Sequence, residues 1–352
     1  MGRRHHSTSM PRFVQPCDHE AGTIKESLNP NWNALPVGDT SNPQGETLSV
    51  AATLKSIVKR LPIIKEIVSE RDELRRHYGF VPPGHFYSPV PSLKEIRRDE
   101  AKIFENIPHH IPGIELHESE QLKLLEELCQ YYESMPFQLH QGEGLRYYFE
   151  NTAYSYSDAI LLHCMIRYLK PGRIIEIGSG FSSCVTLDTN ELFFDSSIKT
   201  TFIEPYPDLL LSLIKEKDKN KIKIIPQRLQ DVSLHLFEEL EVNDILFIDS
   251  THVSKINSDV NRIFFEILPA LSSGIYIQFH DVFFPFEYSK AWIYEGRAWN
   301  EAYMLRSFLQ YSSKFSVVLM NTFIRQFHES FFLEKMPLCL KDPGGSIWIR
   351  KW

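Results

Sequence analysis

Cysteine is scarce in this 352-residue chain: Cys17, Cys129, Cys164, Cys184 and Cys339 are odd in number and widely spaced, with no Cys-x-x-Cys pair. That pattern excludes a disulfide framework and a zinc ribbon, and it suits a reducing compartment. Long apolar runs are missing too, since none approaches the roughly 20 residues that span a bilayer. The opening Met1-Gly-Arg-Arg-His-His-Ser7 has basic residues with no apolar stretch behind them, so it is not a secretory signal. His6 stands where a myristoylation pattern requires Ser or Thr. A cytoplasmic protein without a membrane span is expected. Positive charge is in short supply: 38 Lys and Arg face 45 Asp and Glu, for a net charge of -7. With no basic patch standing out, nucleic acid is not an expected partner. No internal repeat is visible.

What the chain does have is an ordinary globular composition, 43% hydrophobic and 24% charged, enough to bury a full core. Its length exceeds one mid-sized domain. Residues 1–46 are rich in Pro, Asn, Ser and Gly and read as a flexible lead-in. Residues 47–152 read as a helical arm and a Pro-rich connector. In the arm, Leu54, Ile57, Val58, Leu61, Ile64, Ile67, Val68 and Leu74 follow helical spacing, with Pro62 as a kink or break. Such an arm either makes a homo-oligomer contact or packs against the main domain. The connector, 79–117, carries aromatics that wrap a neighbouring surface or line a pocket.

From residue 153 the pattern becomes regular. Helices near 119–134 and 157–169 precede strands near 173–178, 199–204, 221–226, 244–249 and 273–279, which alternate with helical segments. Alternation of this kind builds a parallel sheet with helices on both faces. A helix near 298–311 then precedes two more strands, 314–320 and 346–350, with no helix required between them. The expected fold is α/β: a seven-stranded, mostly parallel, Rossmann-like sheet over residues 153–352, preceded by a helical and Pro-rich extension.

The first strand runs into Glu176-Ile-Gly-Ser-Gly180, a tight turn leading into a helix. Glycine permits positive φ and close approach of the backbone to a ligand, and the helix start presents free N–H groups. The second strand ends in Glu204, 24 residues beyond Gly180, where such folds place a ribose hydroxyl acceptor. A dinucleotide fingerprint wants a third Gly or Ala where this chain has Ser183, a residue small enough to pass. An NAD-linked oxidoreductase therefore remains a rival on the same fold.

Together with Asp231 and the fourth strand, Ile245-Leu-Phe-Ile-Asp249, these motifs resemble those of class I S-adenosylmethionine-dependent methyltransferases, over about residues 153–352. The resemblance implies that Gly178, Ser179 and Gly180 hold the methionine part of the cofactor. It implies ribose hydroxyls on Glu204, adenine facing Asp231, and the cofactor's amino group facing Glu176. A cationic sulfonium compound also suits a pocket with Glu176 and Asp249 better than a pyrophosphate does.

Past the fourth and fifth strands stand Asp249-Ser-Thr-His252 and His280-Asp281. Open parallel sheets bind ligands outside the carboxyl ends of their strands, so these side chains should converge. The Asp-x-x-His motif with a downstream acid is similar to that of metal-dependent sugar O-methyltransferases of macrolide pathways. There, aspartates bind a divalent ion and the histidine takes the hydroxyl proton. Carried over, Asp249, His252 and Asp281 are catalytic, and Asp249, His280 and Asp281 form a site for Mg²⁺ or Mn²⁺. This chain departs from that pattern at His280, where a carboxylate would be expected, and imidazole suits Mn²⁺ or Zn²⁺ better than Mg²⁺. The alternative is that Asp249 bonds a loop or the cofactor, that His280 and Asp281 fix a turn, and that His252 is a loop histidine satisfied by backbone.

The aromatic insertion Val282–Trp299 reads as a substrate lid, with packing on the core as the alternative. Its His-Asp, aromatic loop and Glu-x-Arg-x-Trp-Asn-Glu run is similar to methyltransferases encoded beside bacterial polysaccharide genes, which implies a glycan or sugar acceptor. The expected activity is O-methylation of a sugar-like or other small acceptor. A catalytically silent cofactor-binding module is the rival from another class.

Overall fold

Strands that are buried along nearly their whole length have to be covered on both faces, and the central strands of this chain are of that kind. The structure is a computed structural model that describes residues 62–78 and 80–352. Seven strands form one sheet: β1 (Arg173–Ile177), β2 (Lys199–Ile203), β3 (Lys223–Ile225), β4 (Ile245–Ile248), β5 (Tyr276–His280), β6 (Phe315–Met320) and β7 (Ser346–Lys351). Their order is β3-β2-β1-β4-β5-β7-β6. β1 to β5 are parallel, and β7 runs antiparallel to both β5 and β6. All of β4 is buried, as are β1 and β5 after their first residue. This is the expected seven-stranded, class I methyltransferase-like fold.

One connection differs from the expectation. Helix Asn321–Lys335 joins β6 to β7, burying Phe323, Ile324 and Phe332. These residues, with Phe327 and Phe331, recur at helical spacing, which a simple hairpin between the strands could not have covered. Contacts divide the chain after His77. On the near side of that division the described part is residues 62–77, all but the last residue of helix Pro62–Tyr78. A proline at the first helical position costs no internal hydrogen bond. The lead-in 1–46 and the arm residues before Pro62 lie outside the described residues. Among the described residues no helix is long and apolar enough to cross a membrane, and Cys129, Cys164, Cys184 and Cys339 are all free thiols.

The strand order reverses between β1 and β4, and at such a switch point the carboxyl ends leave a crevice. Ile177 pairs with Ile248 in register, so Gly178 and Asp249 leave the sheet side by side. The Asp249 N–H donates to the Ile177 carbonyl at 2.8 Å, and the Gly178 N–H donates to the Ile203 carbonyl at 3.0 Å. Three strand ends thus hold one turn.

A strap of residues 137–150 is pinned beside that turn by a buried cation. Arg146, with a side chain 2% exposed, meets Asp188 at 2.6 Å, Glu191 at 2.7 Å and Asp218 at 2.5 Å. The Asp188 carboxylate also accepts the Arg146 and Tyr147 backbone N–H groups, both at 2.8 Å. Asp188 lies on helix Phe181–Phe193, which starts at the glycine turn, and Tyr148 of the strap meets Phe181 edge-on at 5.6 Å. Removing one partner of a buried ionic group strands the others, at a cost of about 3–5 kcal/mol. Arg146→Met should lower stability by that amount, seen as a shifted denaturant midpoint. An unchanged midpoint would show that the strap is held by its apolar contacts alone.

Candidate active site

The glycine turn needs glycine at one position more than the other. Gly178 has φ +81°, and a Cβ there would run into the Asp249 carbonyl. Gly180 is extended, with φ 175°, and its Cβ would meet only the end of Leu209 at 3.4 Å. Around the turn the backbone and side chains close on Glu176. Its Oε1 accepts the hydroxyls of Ser182 and Ser183 at 2.6 and 2.9 Å, while its Oε2 and the Ser179 Oγ are buried without a hydrogen-bond partner. Burial pushes the Glu176 carboxyl up to about 8, the serine hydroxyls opposing and the Asp249 charge reinforcing the shift.

Two further residues singled out in the sequence lie farther out. Glu204, half-buried at the end of β2, accepts the Tyr206 N–H at 2.9 Å through Oε1. Asp231 is exposed, and its carboxylate is engaged by Arg228 at 2.9 and 3.2 Å.

The second group converges as the strand ends require. Asp249 Oδ1 lies 3.3 Å from both His252 Nε2 and His280 Nδ1, and Asp281 lies 3.6 Å from the same two nitrogens. Each imidazole is held from behind by a buried acid. Glu301 Oε2 stands 2.9 Å from His252 Nδ1, and Asp158 Oδ2 stands 3.4 Å from His280 Nε2. Glu301 also accepts the Ser250 hydroxyl at 2.8 Å, and the Asn300 and Glu301 N–H groups donate to the His252 carbonyl. Asp158 is fixed by Asn321, the Gly345 N–H and the Ser346 hydroxyl. His252 and Asp281 both adopt φ +59°, a conformation that costs a non-glycine residue about 1–3 kcal/mol and collects at functional sites.

Four carboxyls facing two imidazoles leave negative charge in excess even with both rings protonated. Burial alone would lower the His252 pKa, but Asp249 and Glu301 outweigh it and raise it to about 10. His280 is likewise raised, Asp281 and Asp249 overcoming burial. Burial would raise Asp249, yet the two imidazoles hold it well below the usual carboxylate range. For Asp281, burial wins and the carboxyl is raised. Ligand atoms of Asp249, His280 and Asp281 lie within 4.8 Å of one another. His280 Nδ1 is buried and makes no aligned hydrogen bond. This donor set, with an orphaned imidazole nitrogen between two carboxylates, fits a divalent cation.

The insertion after β5 packs more than it covers. Phe284, Phe286 and Tyr288 are buried in the core, because rings this large gain most by leaving water. Only its far end overlies the cluster: Trp299 lies against the His252 ring at 4.3 Å, and Arg297 sits over Trp292 and Trp299 at 4.3 and 5.0 Å. The connector packs on this insertion through Glu100, which holds Lys290 and accepts the Tyr294 hydroxyl at 2.6 Å. The connector's own aromatics, Phe80, Phe86 and Tyr87, are exposed.

Glu301 and Asp158 escape sequence reasoning. Glu301 closes the Glu-x-Arg-x-Trp-Asn-Glu run, and Asp158 is the one acid in a largely apolar helix, Tyr156–Leu169. An acid isolated in an apolar helix was the available signal.

Residues 175–282 match the model of a methyltransferase domain. An uncharacterized protein from Archaeoglobus fulgidus is 40% identical over 187 residues, covering 52% of this chain and 84% of that protein. Among solved structures, the Podospora anserina methyltransferase PaMTH1, bound to S-adenosylhomocysteine, is similar at 16% identity and a TM-score of 0.38, over 78% of this chain and 99% of that one. The O-methyltransferase TomG from Streptomyces achromogenes, in complex with S-adenosylmethionine, is similar at 15% identity and a TM-score of 0.38, over 64% and 88%. Likeness this remote bears on neither activity nor acceptor.

The two glycines should separate experimentally. Gly178→Ala combines a positive φ with a backbone clash and should cost more than about 1 kcal/mol of stability. Gly180→Ala should stay within about 0.5 kcal/mol. Equal losses in thermal denaturation would contradict the geometry of the turn.

Proposed function

From the premise that the chain belongs to one family with the Archaeoglobus fulgidus protein and carries a methyltransferase domain, we propose that it is an S-adenosylmethionine-dependent O-methyltransferase acting on a hydroxyl of a sugar-like acceptor. The observation that carries the proposal is the buried excess of carboxylate at the β1/β4 crevice, directly against the glycine turn. Such a crevice attracts a cationic ligand and disfavours the pyrophosphate of a dinucleotide. We assign the catalytic unit to residues 153–352.

In this assignment the free Glu176 Oε2 receives the cofactor's ammonium group, Ser179 Oγ its second polar contact, and Gly178 and Gly180 allow the close approach. Glu204, with one oxygen uncommitted, takes the ribose hydroxyls, and Asp231 the adenine edge. S-adenosylmethionine would supply a methyl group activated on a positive sulfur. Asp249, His280 and Asp281 would hold a divalent ion, which would lower the pKa of a bound hydroxyl and offset the surrounding carboxylates.

His252 is the base. Glu301 keeps a proton on Nδ1, so Nε2 is the nitrogen turned toward Asp249, Asp281 and an incoming hydroxyl. At a pKa of about 10 the ring is protonated at neutral pH and has no lone pair to receive a proton. It acts as a base only where positive charge offsets the acids beside it. Asp249 and Asp281 therefore govern both the ion and the readiness of His252.

Two experiments test these roles. Glu176, with a pKa of about 8, must ionise to bind an ammonium group. S-adenosylhomocysteine affinity should therefore rise by up to tenfold per unit from pH 6 toward 8, then level. Glu176→Gln should flatten that profile in calorimetry. A flat wild-type profile, or tighter binding of NAD, would remove the cofactor assignment. Next, His252→Ala should lower kcat by about 10²–10⁴ while sparing S-adenosylhomocysteine affinity. Chelation should do the same to the wild type, reversibly with Mn²⁺. Full turnover in a chelated sample would sink the ion-assisted scheme.

A further inference from the structure

The segment that follows Asp281 also forms a wall of a cavity of about 550 Å³. Half-buried Phe283 gives that wall an aromatic surface and half-buried Phe104 of the connector adds a second ring, while Phe284 and Tyr288 border the cavity with their rings packed into the core. Helix Asn321–Lys335, kinked at His328, contributes Thr322, Arg325 and Gln326 before the kink and Glu329 just after it. All four are polar. The cavity is thus bounded by flat apolar rings and by a row of hydrogen-bonding groups. A sugar ring has that duality, with C–H faces that pack on aromatics and hydroxyls that bond at its edge.

Its charges are unequally committed. Glu287 also lines the cavity, but its carboxylate accepts the Tyr303 hydroxyl and, at 3.0 Å, the Tyr288 N–H. Glu329 is exposed. Arg325 is half-buried, and no hydrogen bond, ion pair or ring contact engages it among the described residues. A guanidinium partly out of water and in no direct ion pair has a fork of N–H donors matched to a carboxylate. Packed rings connect its wall to the site: buried Tyr288 meets Trp299 at 5.9 Å between centroids, and Trp299 meets the His252 ring at 4.3 Å.

We propose that this cavity seats a carboxylate-bearing sugar unit of the acceptor, its acid group on Arg325 and its ring against Phe283 and Phe104. The acceptor is then an acidic glycan. This assignment rests on the methyl-transfer reading above for its purpose, but not for its test, which measures binding alone.

Glucuronate, glucose and inorganic phosphate are titrated into the full chain in the presence of S-adenosylhomocysteine, with binding read by ligand-observed NMR. Glucuronate should bind at least about tenfold more tightly than glucose, as a charge-assisted pair implies. Arg325→Gln should abolish that preference and Arg325→Lys retain part of it, both with unchanged S-adenosylhomocysteine affinity, which shows the variants are folded. Equal binding of glucose and glucuronate, a preference that survives Arg325→Gln, or phosphate binding as tightly as glucuronate would overturn the proposal. Failure of S-adenosylhomocysteine to bind the wild type would instead remove the methyl-transfer reading and leave the glucuronate comparison standing.

Discussion

The geometry of the site depends on crowding carboxylates at the ends of β1, β4 and β5 and then hiding most of them from water. Two unit charges about 4 Å apart interact by about 4 kcal/mol at an effective dielectric near 20, so Asp249 and Asp281 could not share the crevice without compensation. The two imidazoles supply it. His252 and His280 are both 3.3 Å from one oxygen of Asp249, and their raised affinity for protons is the other side of the depressed Asp249 carboxyl. The cluster is not self-sufficient, because Asp158 and Glu301 bring the acids to four. A fold that sequesters this much negative charge is held in readiness for positive ligands.

The backbone around the cluster is tied down by hydrogen bonds. The His252 and Asp281 backbones are left-handed, a strain that persists only when neighbours over-determine it. Here the neighbours are visible: the His252 carbonyl takes two N–H groups from Asn300 and Glu301, and the Val282 N–H donates to the Gly345 carbonyl at 3.0 Å. The helix between β6 and β7 contributes as well, since its first residue, Asn321, bonds Asp158 at 2.9 Å and so helps fix the acid behind His280. Packing and electrostatics therefore act on the same few residues.

Sequence reasoning reached the parts of the site that follow directly from strands. Gly178, Asp249, His280 and Asp281 stand at the carboxyl ends of β1, β4 and β5, or one residue beyond, so a correct strand pattern places them without further knowledge. Asp158 and Glu301 lie on helices, and nothing in helical periodicity says that one buried acid on each turns toward a strand end from 91 and 52 residues away, the separations of Asp158 from Asp249 and of Asp249 from Glu301. The same limit governs the aromatic insertion. Composition shows that Phe284, Phe286 and Tyr288 will seek an apolar surface, but whether that surface is the core or a ligand is settled only by the packing of Ile293, Leu305 and their neighbours. Two equal glycines in the sequence also become unequal once Asp249 is seen to press against only one of them.

The two histidines show how one residue type acquires two tasks from its partners alone. An ionised carboxylate can only accept, so Glu301 at 2.9 Å fixes the proton on His252 Nδ1 and leaves Nε2 facing the crevice. Asp158 does the reverse for His280: it faces Nε2, and Nδ1 is left between Asp249 and Asp281 without an aligned partner. On the proposed scheme that inversion separates the roles. A nitrogen wedged between two carboxylates is placed to ligate a cation, since three donors already converge there. His252 Nε2 stands at the same distances from the two acids, with Trp299 tilted against its ring, and in that scheme it is the nitrogen that meets a hydroxyl arriving from outside. Exchanging the two carboxylate partners would exchange the tautomers, and with them the assignment of ligand and base. The division of labour therefore resides in Asp158 and Glu301 rather than in the imidazoles themselves.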